Sequence, residues 1–355
     1  MRSIASRSLG PQARKGLGAV SAGLKTVSVI VLALISQTPG LSNQAAAQPT
    51  ETLADGRSGR IEFASVTVLG PLTVPRRIAA GQRPAVVSGE LTLPPGAARV
   101  PAMVIAHGSS GVSVTNRDWA RLFVANGIAA FVVDSFTGRG VSETATNQDL
   151  LSTWSNAADA MKALALLSTH PRIDPSKIGV IGGSKGGQVA LYTAFEEFAS
   201  GLAAPGQRFA LHFALYPYCG TRYIGVRLTG RPVHFLLGES DDYTPAGPCV
   251  EYAAWFRAQG APVEVKGFPG AHHGFDRAAP PAIVSNVQNF GACAAEYDIG
   301  EGRMRRLPGR EIMSQQESVD YFRTCWRRGA TVGGDPRAFA ETVAHVLGAT
   351  KAMGW

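Results

Sequence analysis

Residues 178–191, with the sequence IGVIGGSKGGQVAL, constrain the fold of this chain more than any other stretch. An apolar run is followed by Gly182-Gly183-Ser184-Lys185-Gly186 and then by residues that are compatible with a helix. This order predicts a strand, a sharp turn and a helix, in which the glycines let strand and helix approach without Cβ clashes. The turn would expose the serine hydroxyl at the end of a sheet, beside the positive end of the helix dipole. Ser184 is therefore the candidate nucleophile.

Apolar runs and amphipathic segments alternate along most of the chain. Strands are predicted at residues 61–69, 86–93, 102–106, 128–133, 209–215, 233–237 and 263–268, besides the one before Ser184, and helices at 118–126, 153–169, 186–200, 250–259 and 336–347. Residues 300–309 are predicted to form a loop. The alternation predicts an α/β fold with a mostly parallel central sheet and helices on both of its faces.

The first 47 residues are typical of a secretory signal peptide. They contain five Lys or Arg and no Asp or Glu, an apolar core at residues 27–35, and three alanines at 45–47. We predict cleavage after Ala47. The alternative is an uncleaved membrane anchor, although this apolar core is far shorter than the roughly 20 residues that span a bilayer.

Composition places the rest of the chain among globular proteins. Of 355 residues, 45% are hydrophobic and 17% are charged, which is enough to bury a large core. We predict a linker at 48–59 and a single domain at 60–355, with no stable membrane insertion after signal cleavage. The net charge of +8 falls by five, to +3, without the signal peptide, so the sequence predicts no nucleic-acid partner.

The even number of cysteines in an exported chain predicts two disulfides. Three pairings are open. We favour Cys219 with Cys249 and Cys293 with Cys325, because each pair closes a short loop. Metal binding is disfavoured because no two of these cysteines form a Cys-x-x-Cys pair.

Polar segments follow three of the predicted strands, at residues 107–111, 238–245 and 269–275. The carboxyl ends of parallel strands meet at one edge of a sheet, which is where active groups gather. A serine nucleophile needs an imidazole base, and the imidazole needs a carboxylate that holds its tautomer. The chain order serine, aspartate, histidine meets this requirement. Taken alone, the glycine-rich turn could also be a turn with no catalytic role.

These motifs resemble those of the dienelactone hydrolase family of α/β-hydrolases, over roughly residues 86–275. The resemblance implies that the acid lies in a Gly-x-x-Asp-x-x-x-Pro pattern, which selects Asp241 ahead of Asp242. It implies that the base lies in a His-small-Phe pattern, which selects His273 ahead of His272. Asp242 would then be a loop or capping carboxylate, and His272 a wall residue or a hydrogen-bond partner.

The resemblance also implies an oxyanion hole formed by the backbone amides of Ser109 and Lys185. Because both act through the backbone, we expect the Lys185 side chain to be a solvated turn residue. We expect His107 to be structural, with its ring bracing the Gly108 turn.

Two positions depart from the family pattern. Ser184 stands where dienelactone hydrolases proper have cysteine, and Gly108 stands where they have glutamate. The chemistry that remains is the serine esterase cycle, with attack by Ser184 and deacylation by water that His273 activates. We predict no cofactor and no metal, and a small-molecule ester or lactone as substrate; the oligomeric state is not predicted.

Three further residues are candidates for contacts with the substrate. Arg139, Tyr216 and Tyr243 follow strands that reach the same edge of the sheet. Arg139 could pair with a substrate carboxylate, or it could join two loops. The tyrosines could instead pack around the Cys219 loop.

The leading hypothesis is an exported serine hydrolase that acts on carboxylic esters. One alternative is a serine peptidase that resembles the prolyl oligopeptidase group, although no long propeller-like region precedes the domain. A second is a catalytically silent binding protein on the same fold. A third, metal-dependent hydrolysis through Asp241, His272 and His273, lacks an evident set of spaced ligands.

Overall fold

The largest element of the fold is an eight-stranded sheet, described in a computed structural model that covers residues 48–68 and 82–355. The strands are β1 (Gly59–Val68), β2 (Gln82–Thr92), β3 (Val100–Ala106), β4 (Ala129–Asp134), β5 (Ile173–Gly183), β6 (His212–Leu215), β7 (Thr221–Ile224), β8 (Val233–Gly238), β9 (Val263–Phe268), β10 (Ala282–Asn289), β11 (Ala295–Asp298), β12 (Arg303–Arg306), β13 (Ile312–Met313) and β14 (Arg327–Val332).

The order of strands across the large sheet is β1, β2, β4, β3, β5, β6, β8, β9. Strand β2 runs antiparallel to β1 and to β4, and each neighbouring pair from β4 to β9 is parallel. The predicted α/β fold with a mostly parallel central sheet is therefore confirmed. The first two strands, predicted at 61–69 and 86–93, form the antiparallel start of the sheet.

Helices cover both faces of the sheet. They are α1 (Val114–Ala125), α2 (Thr153–Leu167), α3 (Lys185–Tyr192), α4 (Glu196–Leu202), α5 (Ala246–Ala258), α6 (Gln315–Thr324) and α7 (Pro336–Ala352). Strand β3 shows why its sequence is apolar throughout. Ala102 and Val104 face the core under α2 and α3, while Met103 and Ile105 face the core under α1 and α7. Successive side chains point to opposite faces, so a strand covered on both sides must be apolar at every position.

The helix predicted at 186–200 is in fact two helices. Helix α3 ends at Tyr192, and the Thr193 hydroxyl hydrogen-bonds back to the carbonyls of Val189 and Ala190. Phe195 then adopts an extended conformation and pairs with Leu228 before α4 begins. The pairing with a distant segment overrides the local helical pattern, which contains no proline to mark the break.

The chain between β9 and α7 carries most of the elements that the sequence did not predict. Strands β10 and β14 form a two-stranded sheet, and β13, β12, β11 and β7 form a four-stranded one. The predicted loop at 300–309 is wrong, since it contains β12. Strand β12 has no buried residue, the first five residues of β10 are exposed or half-buried, and β11 is buried at three positions but is only four residues long. None of these strands shows the long apolar run that reveals a buried strand.

Residues 48–59 pack against the domain, so they are not a linker. Leu53 is completely buried, and its amide donates a hydrogen bond to the Thr169 hydroxyl (2.7 Å). Thr50 pairs with Phe63 of β1. The segment has only one large apolar residue, which is too little for a sequence pattern to show that it is anchored.

The favoured disulfide pairing is confirmed: Cys219 bonds to Cys249, and Cys293 bonds to Cys325. The first bond ties the chain before β7 to α5, and the second ties the chain before β11 to the end of α6. Disulfides of this kind persist in oxidising compartments, which agrees with export. The predicted signal peptide lies outside the described residues. Among those residues, no helix is both long and apolar enough to cross a bilayer.

Candidate active site

Ser184 lies in the turn between β5 and α3, where the backbone has φ 58° and ψ −119°. A residue other than glycine rarely adopts a positive φ, so the backbone at Ser184 is strained and the surrounding structure must hold it in this conformation. The Ser184 amide donates to the carbonyl of Leu215 at the end of β6 (3.0 Å). The hydroxyl is held at the carboxyl edge of the sheet and remains partly exposed.

Two glycines make this turn sterically feasible. A Cβ atom on Gly182 would lie 2.6 Å from the carbonyl oxygen of Ala106, and one on Gly186 would lie 2.2 Å from the same atom. Both distances are far below van der Waals contact. The glycines two residues before and after Ser184 therefore let β5 and α3 approach β3, as the sequence pattern predicts.

Asp241 and His273 form a hydrogen-bonded pair beside this turn. Their loops follow β8 and β9, and Asp241 Oδ2 lies 2.9 Å from His273 Nδ1, with both side chains almost fully buried. The amides of Tyr243 and Thr244 donate to Asp241 Oδ1 (2.9 and 2.8 Å). The Thr244 hydroxyl lies 2.9 Å from Asp241 Oδ2 and 3.0 Å from His273 Nδ1. These contacts fix the carboxylate and leave the second ring nitrogen of His273 for other chemistry.

The neighbours of these two residues have other contacts. Asp242 accepts hydrogen bonds from the amide and the hydroxyl of Thr331 (2.8 and 3.2 Å), so it fastens β14 to the loop after β8. The Nδ1 atom of His272 is buried without a hydrogen-bond partner among the described residues. Of the two aspartates and two histidines that the sequence offered, only Asp241 and His273 are joined by a hydrogen bond among the described residues.

Ser184 and His273 line one cavity of about 100 Å³. Gly108, Ser109, Tyr216 and Tyr243 line it as well. Within the part of the chain that the structure describes, the Ser184 hydroxyl forms no hydrogen bond with His273. Such contacts are often long before a substrate is bound and shorten in the reactive complex.

The β10–β14 sheet closes one side of this cavity. Val284 and Val287 of β10 and Val332 of β14 are among the lining residues. His273 pairs with Val332, and its carbonyl accepts a hydrogen bond from the Gly333 amide (2.9 Å). The segment missed by the sequence analysis thus forms part of the site wall. A larger cavity of about 620 Å³ lies between α1 and β2 and is lined by none of Ser184, Asp241 and His273.

The amides of Ser109 and Lys185 are the predicted oxyanion donors, and neither has a hydrogen-bond acceptor among the described residues. Lys185 is the first residue of α3, and amides of the first helical turn have no partner within the helix. The amide of Ser109 has no acceptor among the described residues, while its carbonyl accepts from Thr144 (2.7 Å). Gln148 Nε2 donates to the Ser109 hydroxyl (3.0 Å) and holds this loop in place.

The Lys185 side chain is buried, which contradicts the expectation of a solvated turn residue. Its ammonium group donates to the carbonyl of Leu151 (2.8 Å), and only 3% of the residue is exposed. Burial lowers the pKa of this amine to about 7, and the nearby Asp149 offsets part of that effect. The side chain joins the nucleophile turn to the segment that carries Gln148.

We expect Lys185→Met to change the pH dependence of stability. Between about pH 7 and 10.5 the unfolded chain binds a proton that the folded protein does not, so Lys185 lowers the free energy of unfolding as pH falls through this window. Methionine removes this term. The free energy of unfolding of the variant, relative to the parent, should be higher at pH 6 than at pH 10, by up to about 4 kcal/mol. Denaturant unfolding at both pH values measures it.

Lys351→Met is the matched control, because Lys351 is exposed on α7. Its effect on the free energy of unfolding should be small at both pH values. If the free energy of unfolding of Lys185→Met differs from that of the parent by the same amount at pH 6 and at pH 10, the lowered pKa of Lys185 is contradicted.

Arg139 does not line the cavity; it joins segments of the fold, the alternative that the sequence left open. Its guanidinium donates to both oxygens of the buried Asp159 on α2 (2.8 Å each). It also donates to the Thr67 hydroxyl (2.8 Å) and to the carbonyls of Val66 and Ser135 (2.8 and 2.7 Å). All five N–H donors are thereby used, and none is left for a substrate.

Tyr216 and Tyr243 both lie in the cavity wall and contact the imidazole of His273. Their ring centroids are 4.8 and 4.7 Å from that of His273. The Tyr216 hydroxyl donates to Asp276 Oδ1 (2.6 Å), and Trp119 Nε1 donates to Asp276 Oδ2 (2.9 Å). Burial and the Asp276 carboxylate raise the pKa of Tyr216. Burial raises the pKa of Tyr243 to about 12, so both phenols are neutral at physiological pH.

His107 contacts the turn that it was predicted to brace. Its Nδ1 lies 2.7 Å from the carbonyl oxygen of Gly108, and its Nε2 accepts a hydrogen bond from the Ser135 amide (3.2 Å). Burial lowers the pKa of this imidazole, which favours the neutral ring with its proton on Nδ1. The ring also packs edge-on against Phe136.

Sequence reasoning missed Thr244, Gln148 and Asp276. Thr244 could have been found, because it lies in the same motif as Asp241 and its hydroxyl can reach back three residues. Gln148 and Asp276 carry no local signal, since their partners Ser109 and Trp119 are distant in sequence.

The dienelactone hydrolase family model matches residues 87–296. Among solved structures, the chain is similar to Thermogutta terrifontis esterase 2 phosphoramylated by tabun, with 20% identity, a TM-score of 0.42, and coverage of 60% of this chain and 85% of that one. A butyrate-bound structure of the esterase from the same organism gives 19% identity, a TM-score of 0.43, and coverage of 53% and 80%. The comparison with curated proteins found no match.

Proposed function

Since the chain belongs to the dienelactone hydrolase family and is a hydrolase of carboxylic ester bonds, we propose that it is an exported serine enzyme which forms an acyl-enzyme on Ser184. His273 is the general base and Asp241 orients it. The observation that carries the proposal is the 2.9 Å hydrogen bond between Asp241 and His273, in the wall of the cavity that Ser184 also lines.

The first half of the reaction transfers the acyl group. The Ser184 oxygen attacks the ester carbonyl while His273 Nε2 takes the hydroxyl proton. The carbonyl oxygen becomes an oxyanion that accepts hydrogen bonds from the amides of Ser109 and Lys185. The C–O bond to the alcohol then breaks, and the imidazolium of His273 returns its proton to the leaving alkoxide.

The second half restores the enzyme. A water molecule loses its proton to His273 Nε2 and attacks the acyl carbonyl, so that a second tetrahedral intermediate forms in the same oxyanion hole. Collapse of this intermediate breaks the bond to Ser184, which regains its proton from His273, and releases a carboxylic acid that loses its proton to solvent. Asp241 stays ionised throughout and stabilises the imidazolium in both halves.

The size of the cavity supports a short acyl group. Its volume of about 100 Å³ is well below the ~300–1,000 Å³ of pockets that enclose larger ligands. The rings of Trp119 and Tyr216 and the side chains of Val284, Val287 and Val332 form its apolar walls. A short ester or a small lactone fits these walls better than a long-chain ester.

The disulfides support export, because such bonds persist in oxidising compartments. The basic and apolar leader predicted from the sequence would supply the signal. Mass spectrometry of the mature protein should give Gln48 as the first residue, and an intact Met1 would contradict this part of the proposal.

Arg277 supports a substrate with a negative charge near the cavity mouth. It is the one lysine or arginine among the described residues that line this cavity, it is exposed, and it has no ion pair in the described chain. We expect Arg277→Gln to raise KM about fivefold for an aryl hemisuccinate ester, because an exposed charge pair contributes up to about 1 kcal/mol. The aryl butyrate ester, which lacks the charge, is the control and should show little change. An equal rise in KM for both esters would contradict a role in charge recognition.

The test of the proposal is covalent labelling with a fluorophosphonate. This probe reacts with an activated serine, so the parent protein should be labelled and Ser184→Ala should not. Ser110→Ala is the matched control, since Ser110 lines the same cavity and is exposed. Loss of labelling in the control only, or labelling that persists in Ser184→Ala, would overturn the assignment. A parent protein that reacts with neither probe nor ester would instead be the silent binding protein.

A further inference from the structure

Three metal-ligating side chains meet at the opposite end of the sheet from Ser184. His234 is the second residue of β8, Glu264 is the second residue of β9, and His345 lies on α7. His234 and Glu264 are paired in the register of the two parallel strands. The candidate catalytic residues follow the carboxyl ends of these strands, and His234 lies about 13 Å from the end of β8, given ~3.3 Å per residue. The cluster is therefore separate from the active site.

The ligand atoms lie close enough to share one ion. His234 Nδ1 is 2.9 Å from His345 Nε2, and Glu264 Oε2 is 3.6 Å from each of these nitrogens. Around a tetrahedral zinc ion with bonds of ~2.0–2.1 Å, neighbouring ligand atoms are about 3.3–3.4 Å apart. Shifts of less than about 0.5 Å would convert the observed triangle into one face of that tetrahedron.

The surroundings hold the imidazoles and leave one side open. His234 is buried and packs against the ring of Phe213, and His345 is half-buried on the helix above it. The Glu264 side chain is 66% exposed, so the ion would keep a position for solvent. The nearby ammonium of Lys266 is already paired with Glu341 on α7 (3.0 Å), so Glu264 remains available as a ligand.

The contact between the two histidines is compatible with an ion. Two ring nitrogens at 2.9 Å cannot both carry a proton directed at the other, so at least one lone pair points into the contact. A neutral imidazole with a directed lone pair is the usual protein ligand of zinc and its neighbours in the transition series.

We propose that His234, Glu264 and His345 bind a divalent transition-metal ion, with Zn²⁺ the best fit to two nitrogens and one carboxylate oxygen. The site would fasten the C-terminal helix α7 to the last two strands of the large sheet. Because the ion binds the folded chain, it would stabilise the fold rather than take part in ester hydrolysis.

The test is Zn²⁺ binding by the whole purified protein, after dialysis against a chelator and then against metal-free buffer. Isothermal titration calorimetry should show one equivalent bound. At a Zn²⁺ concentration about 100 times the dissociation constant, the melting temperature should rise by about 4 °C. Co²⁺ in place of Zn²⁺ should give the visible absorption of a tetrahedral nitrogen and oxygen site.

Variants decide whether these residues are the ligands. His345→Ala and Glu264→Ala should weaken Zn²⁺ binding by more than about 100-fold, since the loss of a mere outer hydrogen-bond partner weakens metal sites by ~10–100-fold. Glu90→Ala is the control, because Glu90 is also exposed on a strand of the large sheet and should leave binding unchanged. Glu264 is so exposed that its variant tests the proposal even if His345→Ala fails to fold.

Two results would overturn the proposal. A parent protein that binds no Zn²⁺ would mean that the cluster is a histidine–histidine hydrogen bond beside a carboxylate. Binding that is equal in the parent, His345→Ala and Glu264→Ala would mean an adventitious ion only.

Discussion

Replacing Ser184 by alanine should lower kcat for a short aryl ester by about 10⁶-fold. The variant keeps the cavity and the oxyanion amides but lacks the oxygen that attacks the carbonyl, so only direct attack by water remains. The positive φ at this position also strains alanine, as it strains serine, so the fold should change little. Steady-state hydrolysis and a thermal melt of the same sample measure the two effects.

Ser110→Ala is the control for this experiment as well. Its kcat should stay within about tenfold of the parent, because no hydrogen bond among the described residues joins Ser110 to Asp241 or His273. A Ser184→Ala protein that keeps more than a hundredth of the parent activity would show that another group is the nucleophile. The residual rate must be measured with protein expressed separately from the parent, since a trace of active enzyme would mask a loss of this size.

Replacing Asp241 by asparagine should lower kcat by about 10⁴-fold. Asp241 accepts a hydrogen bond from the Nδ1–H group of His273. An amide in its place can instead donate to that nitrogen, which would leave the proton on Nε2 and remove the base. The hydrogen bonds from the amides of Tyr243 and Thr244 should persist to the asparagine oxygen, so the loop should keep its shape. The hydrolysis rate at saturating substrate measures the effect.

The adjacent carboxylate gives a matched control. Asp242→Asn changes the same functional group one residue away, but Asp242 contacts Thr331 on β14 and not His273. We expect the free energy of unfolding to fall by about 0.5–1.5 kcal/mol, the cost of a weakened half-buried hydrogen bond, with kcat within about tenfold of the parent. The opposite pattern, a large loss of kcat in Asp242→Asn only, would assign the acid to Asp242.

Much of the large sheet could be predicted from the sequence because its central strands are buried on both faces. The edge strand β9 begins and ends at the predicted residues although it is partly exposed, and the central strands β3, β4 and β8 differ from the prediction by one or two residues at one or both ends. Such strands must be apolar at every position, and this pattern depends only on local sequence. Strand β12 consists of three arginines and one methionine, all of them exposed or half-buried, so it offers no such pattern and the sequence predicts a loop there.

The candidate site also has parts that local sequence predicts and parts that it does not. The turn that carries Ser184 is local, since its glycines, its strand and its helix are adjacent in the chain. The surroundings of Lys185 are not local, because the residue is buried by the segment that ends at Leu151, and nothing in the turn itself indicates this. Arg139 shows the same limit: its partners Val66, Thr67 and Asp159 lie on two other elements.

The sequence by itself determined the fold class, the serine turn and the family that the chain resembles, and it favoured one of the three possible pairings of the four cysteines. Each of these follows from residues that are close in the chain or from a pattern that repeats along it. Only the tertiary structure decided that Asp241, rather than Asp242, contacts the imidazole, that Lys185 is buried, and that β10 and β14 close the cavity. It also brought His234, Glu264 and His345 together. These outcomes depend on which surfaces meet when distant segments pack. Patterns among neighbouring residues do not show the free energy of that packing.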